Sequence, residues 1–354
     1  MAVKILGAGL AGMSAAVNLK LGGKDVEVFE RKSDVGEQIK QNYQCLLSTH
    51  GDPDTYFSKF NLKPQCSVFP LSKAILVTRT RVINVNINED VIFYLRGGKD
   101  SLEYGIYRQA RDQGIKFHFN QKKDPSEMDI VATGRKRCDM VAFGCIYEDL
   151  DFPRDAYLYM HDDRFSPRGW YLYVLPLPGN RFKVVNCTSW PHLKQTRRLY
   201  FKAIKEREIL KKYVGDAEPV ETFGGFGGCH FPRSAIKGKT MYVGEAAGFQ
   251  DPFRGFGMNY AMESGFLAAR AILEGKNYDK LWKTHFKPRI KKDLYLRYAM
   301  VLFGDRAIEH AFRKLENGGE VDFGRVAPSG FKGKMLMELF YRLAKLRHWR
   351  TGHW

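Results

Sequence analysis

Gly7-Ala8-Gly9-Leu10-Ala11-Gly12 reads G-x-G-x-x-G, and Glu30 follows 18 residues after Gly12. Alone, such a glycine run is weak evidence; its chemistry comes from context. Gly7 permits a tight turn, Gly9 lets the backbone approach a pyrophosphate, and Gly12 lets a helix pack on a strand. A helix starting at Ala11 then offers N–H groups and positive potential to phosphate. The carboxylate of Glu30, with Arg31 beside it, would accept hydrogen bonds from a ribose 2′-hydroxyl and repel a 2′-phosphate, which suits FAD or NAD better than NADP. The competing reading is a glycine turn in an unrelated α/β protein. Two later blocks bear on the choice: Asp129-Ile130-Val131-Ala132-Thr133-Gly134, and the run from Gly244 and Glu245 through Asp251, Arg254, Gly255 and Gly257 to Met258.

These blocks need particular elements around them. Val3 to Leu6 is an apolar strand, Ala11 to Leu21 a small-residue helix, and Asp25 to Glu30 a second strand, a βαβ start that favours a parallel sheet. Ser101 to Gln113 has helical spacing, and Ile115 to Phe119 and Met128 to Ala132 read as strands that join the same sheet. Between them, Ala74 to Thr78, Val91 to Leu95, Ala156 to His161, Gly169 to Leu175, Phe182 to Asn186 and Val220 to Phe226 read as short antiparallel strands crossed by a helix over about Thr196 to Tyr213. Thr240 to Val243 is a buried strand, Gly244 to Gly257 a glycine-rich loop, and Met258 to Leu273 a helix. The expected fold class is α/β: a discontinuous Rossmann-type dinucleotide domain (1–65, 99–150, 236–280), an inserted antiparallel-sheet substrate domain (66–98, 151–235) and a C-terminal helical region (281–354).

On these motifs the chain resembles FAD-binding oxidoreductases. Asp129 to Gly134 resembles the "ATG" strand end of two-dinucleotide-domain flavoproteins, and Val243 to Met262 resembles the second FAD motif of the glutathione-reductase type, G-D-A-A followed by P-x-x-G-x-G and a helix. Within that group the match is to the geranylgeranyl reductase family, relatives of aromatic hydroxylases and flavin halogenases. Gly248 follows the paired alanines where many hydroxylases carry His, Ala261-Met262-Glu263-Ser264-Gly265 matches A-M-x-S-G, and Gly169 to Pro176 echoes an aromatic strand ending in Pro. Departures are Glu245 for the usual Asp, Tyr173 for a Trp, and a shorter chain.

The resemblance implies bound FAD, held by Gly7, Gly9, Leu10, Ala11, Gly12, Glu30, Arg31, Ala132, Thr133, Gly134, Gly244, Glu245, Gly255, Gly257 and Met258. It also implies hydride transfer to a C=C bond of an apolar, isoprenoid-like substrate, in a pocket drawn from Trp170, Tyr171, Tyr173 and Pro176. Strand alternation lets only one side of that segment line a pocket, and core packing stands beside substrate contact for each aromatic. Asp251 and Arg254 would tune flavin charge or orient substrate, or form a loop salt bridge. Cys45 follows the first βαβ unit, where family members bring a cysteine towards the flavin; a buried thiol is the plain alternative. His230 is a candidate proton donor or a structural residue. The reductant, NAD(P)H or ferredoxin, is left open, because only one nucleotide fingerprint is visible. A flavin monooxygenase or halogenase is the enzymatic alternative, and a non-catalytic FAD-binding, membrane-associated protein the other.

The charge balance, 57 Lys+Arg against 39 Asp+Glu for a net +18, favours phosphate-rich or acidic partners. No nucleic-acid motif accompanies it, so no nucleic-acid partner is expected. Six cysteines without a C-x-x-C pair argue against a zinc site or a disulfide framework, so no metal is expected. The absence of a spanning apolar run, and a strand beginning at Val3, lead to the expectation of a cytoplasmic protein. Residues 334–350 combine apolar and basic side chains at helical spacing, and form either a peripheral contact with anionic membrane or a helix packed on the body.

Overall fold

The computed structural model describes residues 2–39, 41–46, 53–134, 138–229, 231–316 and 330–351. The first part of the chain runs β1 (Val3–Leu6), α1 (Leu10–Leu21), β2 (Val26–Phe29), β3 (Asn42–Cys45), α2 (Pro53–Ser58), β4 (Val68–Val77), β5 (Val82–Arg96), α3 (Leu102–Asp112), β6 (Lys116–His118) and β7 (Ile130–Val131). It continues with β8 (Met140–Glu148), β9 (Ala156–Met160), β10 (Leu172–Leu177), β11 (Arg181–Ser189), α4 (Thr196–Glu206), α5 (Glu208–Tyr213), β12 (Glu221–Gly227), β13 (Ile236–Lys237) and β14 (Thr240–Tyr242). Four helices close it: α6 (Met258–Leu273), α7 (Tyr278–Phe303), α8 (Asp305–Glu316) and α9 (Gly330–Thr351).

Two sheets organise these elements: a six-stranded one in the order β13-β14-β7-β1-β2-β6 and an eight-stranded one in the order β12-β8-β11-β10-β9-β4-β5-β3. The first is parallel except for its β13–β14 edge. Strand β1 lies between β2, its successor through α1, and β7, so the crevice of this doubly wound sheet opens where the chain leaves β1. Helix α1 is buried on nearly all sides because small residues let α6 pack directly on it: a Cβ on Gly265 would stand 2.1 Å from the Ala11 carbonyl oxygen. Ser14 ties the pair by donating to the Met262 carbonyl at 2.7 Å.

The eight-stranded sheet differs from expectation in three respects. It is not wholly antiparallel, since β4 and β9 run parallel. Strands β3 and β8, in stretches assigned from sequence to the nucleotide-binding part, belong to this sheet instead. The single helix expected over 196–213 is two, broken at Arg207, whose φ of −94° and ψ of 115° are extended. Its guanidinium bonds the Thr78 and Arg79 carbonyls and pairs with Asp162, which pins the break. One face of the sheet, including Leu158, Leu172, Val174 and Val184, packs under α4 and α5. The opposite face is turned towards the loop before α6.

Candidate functional site

The glycine turn after β1 is shaped as its spacing requires. Gly7 has φ +106°, and a Cβ there would lie 2.6 Å from the Ala132 carbonyl oxygen, so the strand end at Ala132 runs directly beneath the turn. A Cβ on Gly12 would meet the Gly7 carbonyl oxygen at 2.0 Å. Gly9 is different: nothing lies within 4 Å of the space its Cβ would fill. The first helical bond of α1 runs from the Met13 N–H to the Gly9 carbonyl, so the N–H groups of Leu10, Ala11 and Gly12 precede the ladder and point out of the helix end. No side chain caps that end and no acid occupies its first turn.

Glu30 closes the other side of this cradle. Its carboxylate accepts from the Ala8 N–H at 2.9 Å and from the Lys32 N–H at 3.0 Å, which anchors the turn and leaves lone pairs for a ribose. Thr133 and Gly134 continue from β7 alongside, with Gly134 at φ +82°. These residues fit a dinucleotide: open space at the one glycine where a phosphate must approach, an uncapped helix start, and a ribose-height carboxylate.

The second block folds back on the first. Gly244 has φ +56°, its N–H donates to the Ser264 hydroxyl at 2.8 Å, and a Cβ there would press on Ala11 at 3.0 Å. Glu245 reaches over the turn that follows, its Oε1 3.4 Å from where a Gly257 Cβ would stand. Met258 is buried at the start of α6, whose cap, Gly257, offers no side-chain bond. Both helix starts therefore leave backbone donors for a ligand on the same crevice.

Asp251 and Arg254 lie together in the loop before α6, where Arg254 acts electrostatically on the Asp251 carboxyl. The buried Asp251 carboxylate accepts from the Phe253 and Arg254 N–H groups at 2.6 and 3.2 Å, capping its own turn. Burial pushes its pKa up, against the pull of Arg254. Asp293 on α7, also buried, is pushed up to about 8 by burial and by Asp251. The loop is clamped by Arg297, which sequence reasoning missed: this buried guanidinium donates to the carbonyls of Pro252, Phe253 and Arg168 and stacks 4.1 Å over the Trp170 ring. Burial lowers its pKa to about 10.

That loop is laid on an aromatic face of the eight-stranded sheet. The Tyr171 hydroxyl donates to the Arg254 carbonyl at 2.6 Å, and a Cβ on Gly255 would stand 2.8 Å from the Met140 sulfur and 3.6 Å from the Trp170 ring. Tyr171 and Tyr173 share the face, with ring centroids 6.1 Å apart, and Tyr159 packs 4.8 Å from Tyr171. Trp170 joins them because it precedes β10 and escapes strand alternation. Pro176 is a correction: it alternates with Tyr173 and so lies on the side of Leu172 and Val174, away from the loop. Cys45 is brought to this face by β3, near Tyr157 and Tyr173, with its thiol pushed up to about 12 by burial despite Arg254. All six cysteines are free thiols. His230 lies outside the described residues.

Two buried polar groups on this face had no sequence signal. His161, at the end of β9, packs 4.8 Å from Tyr159, and burial drives its pKa down to about 3 against a hydrogen bond to the Trp170 backbone. Its Nδ1 has no hydrogen-bond partner among the described residues. Lys183 donates to the Tyr43 carbonyl at 2.6 Å beside the Tyr173 ring, and burial brings its pKa down to about 7.

Comparison with known proteins agrees with this geometry. Residues 5–52 match the family described as NAD(P)-binding Rossmann-like domain. Over an alignment of 373 residues the chain is 25% identical to digeranylgeranylglycerophospholipid reductase 2 of Methanothermobacter thermautotrophicus, covering 89% of this chain and 91% of that one. The structure superposes on a geranylgeranyl bacteriochlorophyll reductase-like protein of Thermoplasma acidophilum with a TM-score of 0.67 at 16% identity, over 88% of this chain and 90% of that one. It also superposes on the flavin-dependent brominase Bmp2 with a TM-score of 0.63 at 13% identity, over 99% of both chains. The fold is thus one shared with a geranylgeranyl reductase-like protein and a flavin-dependent brominase, and the sequence likeness to a digeranylgeranylglycerophospholipid reductase covers most of the chain.

Proposed function

We propose that this geranylgeranyl-reductase-like chain is an FAD-dependent oxidoreductase that reduces C=C bonds of an apolar, isoprenoid-like substrate. The observation that carries the reading is the meeting of the two parts: the loop 251–257 of the nucleotide-binding half lies directly on an aromatic sheet face. Bound FAD, once reduced, would supply hydride to one carbon of the alkene, and a proton would reach the other carbon. The chain's own residues do the rest. Gly7 to Gly12, Glu30 and Gly244 to Met258 bind and orient the dinucleotide, and Arg297 holds the loop between cofactor and substrate. Tyr157, Tyr159, Tyr171 and Tyr173 exclude water and give an apolar chain a surface to lie on. Burial raises the pKa of each of these tyrosines, so their hydroxyls stay protonated and neutral at physiological pH. His161, also neutral, offers Nδ1 to a water or to the polar end of a substrate.

The test is anaerobic. Protein loaded with FAD and reduced to the colourless form should turn yellow again on addition of a geranylgeranyl lipid, with product mass rising by two hydrogens per oxidised flavin. A flavin that ignores the alkene, and is reoxidised only by O₂ with a hydroxylated or halogenated product, would move the chain to the monooxygenase or halogenase class.

A further inference from the structure

Helix α9 divides its surface three ways. At about 100° per residue, Gly333, Phe340, Tyr341 and Ala344 form one face that packs on α7: the Phe340 ring lies 5.1 Å from Tyr295 and 6.1 Å from Tyr298, and Ala344 is fully buried. A second arc of about 100° carries Met335, Leu336, Leu339, Leu343 and Leu346, all between 38% and 60% exposed. The third carries Lys334, Arg342 and Lys345, also exposed, with Glu338 among them paired to Lys291 on α7 and to Arg342. A helix that only packed on the body would turn its leucines inward. Here the aromatic residues do the packing, and the leucines face out.

The apolar arc extends beyond α9. Contacts between α7 and α9 advance together in sequence, Lys291 with Glu338, Tyr295 with Phe340, Tyr298 with Leu343 and Arg347, so the two helices run parallel. That register brings the end of α7 beside the last turns of α9, and there Leu302 and Phe303 are 62% and 59% exposed. The opposite side of α7 carries Asp293 and Arg297, which face the 251–257 loop. The apolar patch therefore lies one helix away from the candidate site.

We propose that the exposed arc of α9, with Leu302 and Phe303, is the surface by which this protein sits on an anionic lipid bilayer, the leucines entering the interface and Lys334, Arg342 and Lys345 lying at the headgroups. Apolar and basic arcs side by side on an exposed helix are what such an interface selects, and the net charge of +18 adds attraction of the same sign. A second copy of the chain is the poorer fit, because two such faces would bring their basic arcs together.

This inference does not rest on the reductase reading, and its test needs no substrate. The full chain, loaded with FAD, is floated with vesicles of phosphatidylcholine alone or mixed with phosphatidylglycerol, at low and high salt. Binding is expected to the mixed vesicles at low salt and to fall at least tenfold in a Leu339→Asp/Leu343→Asp variant. Both side chains are exposed, so thermal stability and FAD content should stay unchanged in that variant. A Lys334→Glu/Arg342→Glu/Lys345→Glu variant should lose the salt-sensitive part. Failure of the wild type to bind the anionic vesicles, or equal binding by the leucine variant, would overturn the proposal. So would a concentration-dependent dimer that the leucine variant abolishes.

Discussion

At the scale of single residues, the three glycines of the first motif have separable jobs, and that gives a sharp test. Gly9 has an ordinary extended backbone, φ −83° and ψ 179°, and open space where a side chain would go. Gly9→Val should therefore leave the thermal stability of the cofactor-free protein unchanged and abolish FAD retention on desalting. Gly12→Ala should do the reverse first: its Cβ collides with the Gly7 backbone at 2.0 Å, and a lower melting temperature, by about 1–3 kcal/mol of stability, should precede any effect on FAD. Similar outcomes for both would contradict the assignment of the open space to the pyrophosphate. Lys183 gives a pH test. Its pKa is about 7 in the folded chain and 10.5 when unfolded, so the unfolded state holds the extra proton between those values. The penalty is full below pH 7, and stability should rise with pH from 7 towards 10.5; Lys183→Met should flatten that slope in melting curves. The glycines and Glu30 were legible because a tight turn and a ribose fix residue type at fixed spacing. Lys183, His161, Asp293 and Arg297 were not, because each matters only through burial, and burial on a shared face is set by strands and helices far apart in sequence.

Elements were legible where one period dominates. Strand β1 and helix α6 have the boundaries read from sequence, and α3 starts at the Ser101 cap, whose hydroxyl accepts from the Tyr104 N–H at 3.2 Å. Strands β3 and β8 fell to the wrong half because they sit next in sequence to nucleotide-binding segments, and only pairing with β5 and with β11 and β12 reveals their sheet. The A-M-x-S-G run in α6 acquires its meaning at this scale. Ser264 holds Gly244, Glu263 is paired to Arg289 and His285 of α7 and bonded by Tyr56 of α2, and Gly265 admits α1. Burial alone would raise the Glu263 carboxyl, yet these partners hold it below its usual value. Gly265→Ala should force α1 and α6 apart, since its Cβ meets Ala11 and Ala15 backbone at 2.1 and 3.0 Å. The expected cost is about 1–3 kcal/mol, with FAD retention weakened as well, because α1 and the Gly244 loop move together. A variant as stable as wild type by chemical denaturation, or one that loses stability while retaining FAD normally, would show that this packing does not set the crevice.

For the whole molecule, charge decides more than shape. Among the described residues no helix is long and apolar enough to cross a membrane, while the net charge of +18 acts on anything that approaches. Sequence alone gave the sign of that charge and a basic amphipathic stretch, but not the three-way division of α9, which depends on what α7 covers. The same field bears on the reductant. Ferredoxin-type carriers are acidic proteins, and their encounter with a basic surface is accelerated at low ionic strength and screened beyond a Debye length of about 10 Å at 0.1 M salt. A nicotinamide dinucleotide is a small anion whose binding would depend on a local pocket and far less on the global field. Flavin reduction by stopped flow should therefore separate the two. With reduced ferredoxin as donor, the second-order rate should fall at least tenfold from low to high salt; with NAD(P)H it should change little. The basic surface leads us to expect the first pattern. Rapid reduction by NAD(P)H with no salt dependence, and none by ferredoxin at any salt, would assign the charge entirely to other partners and leave the lipid surface as its remaining use.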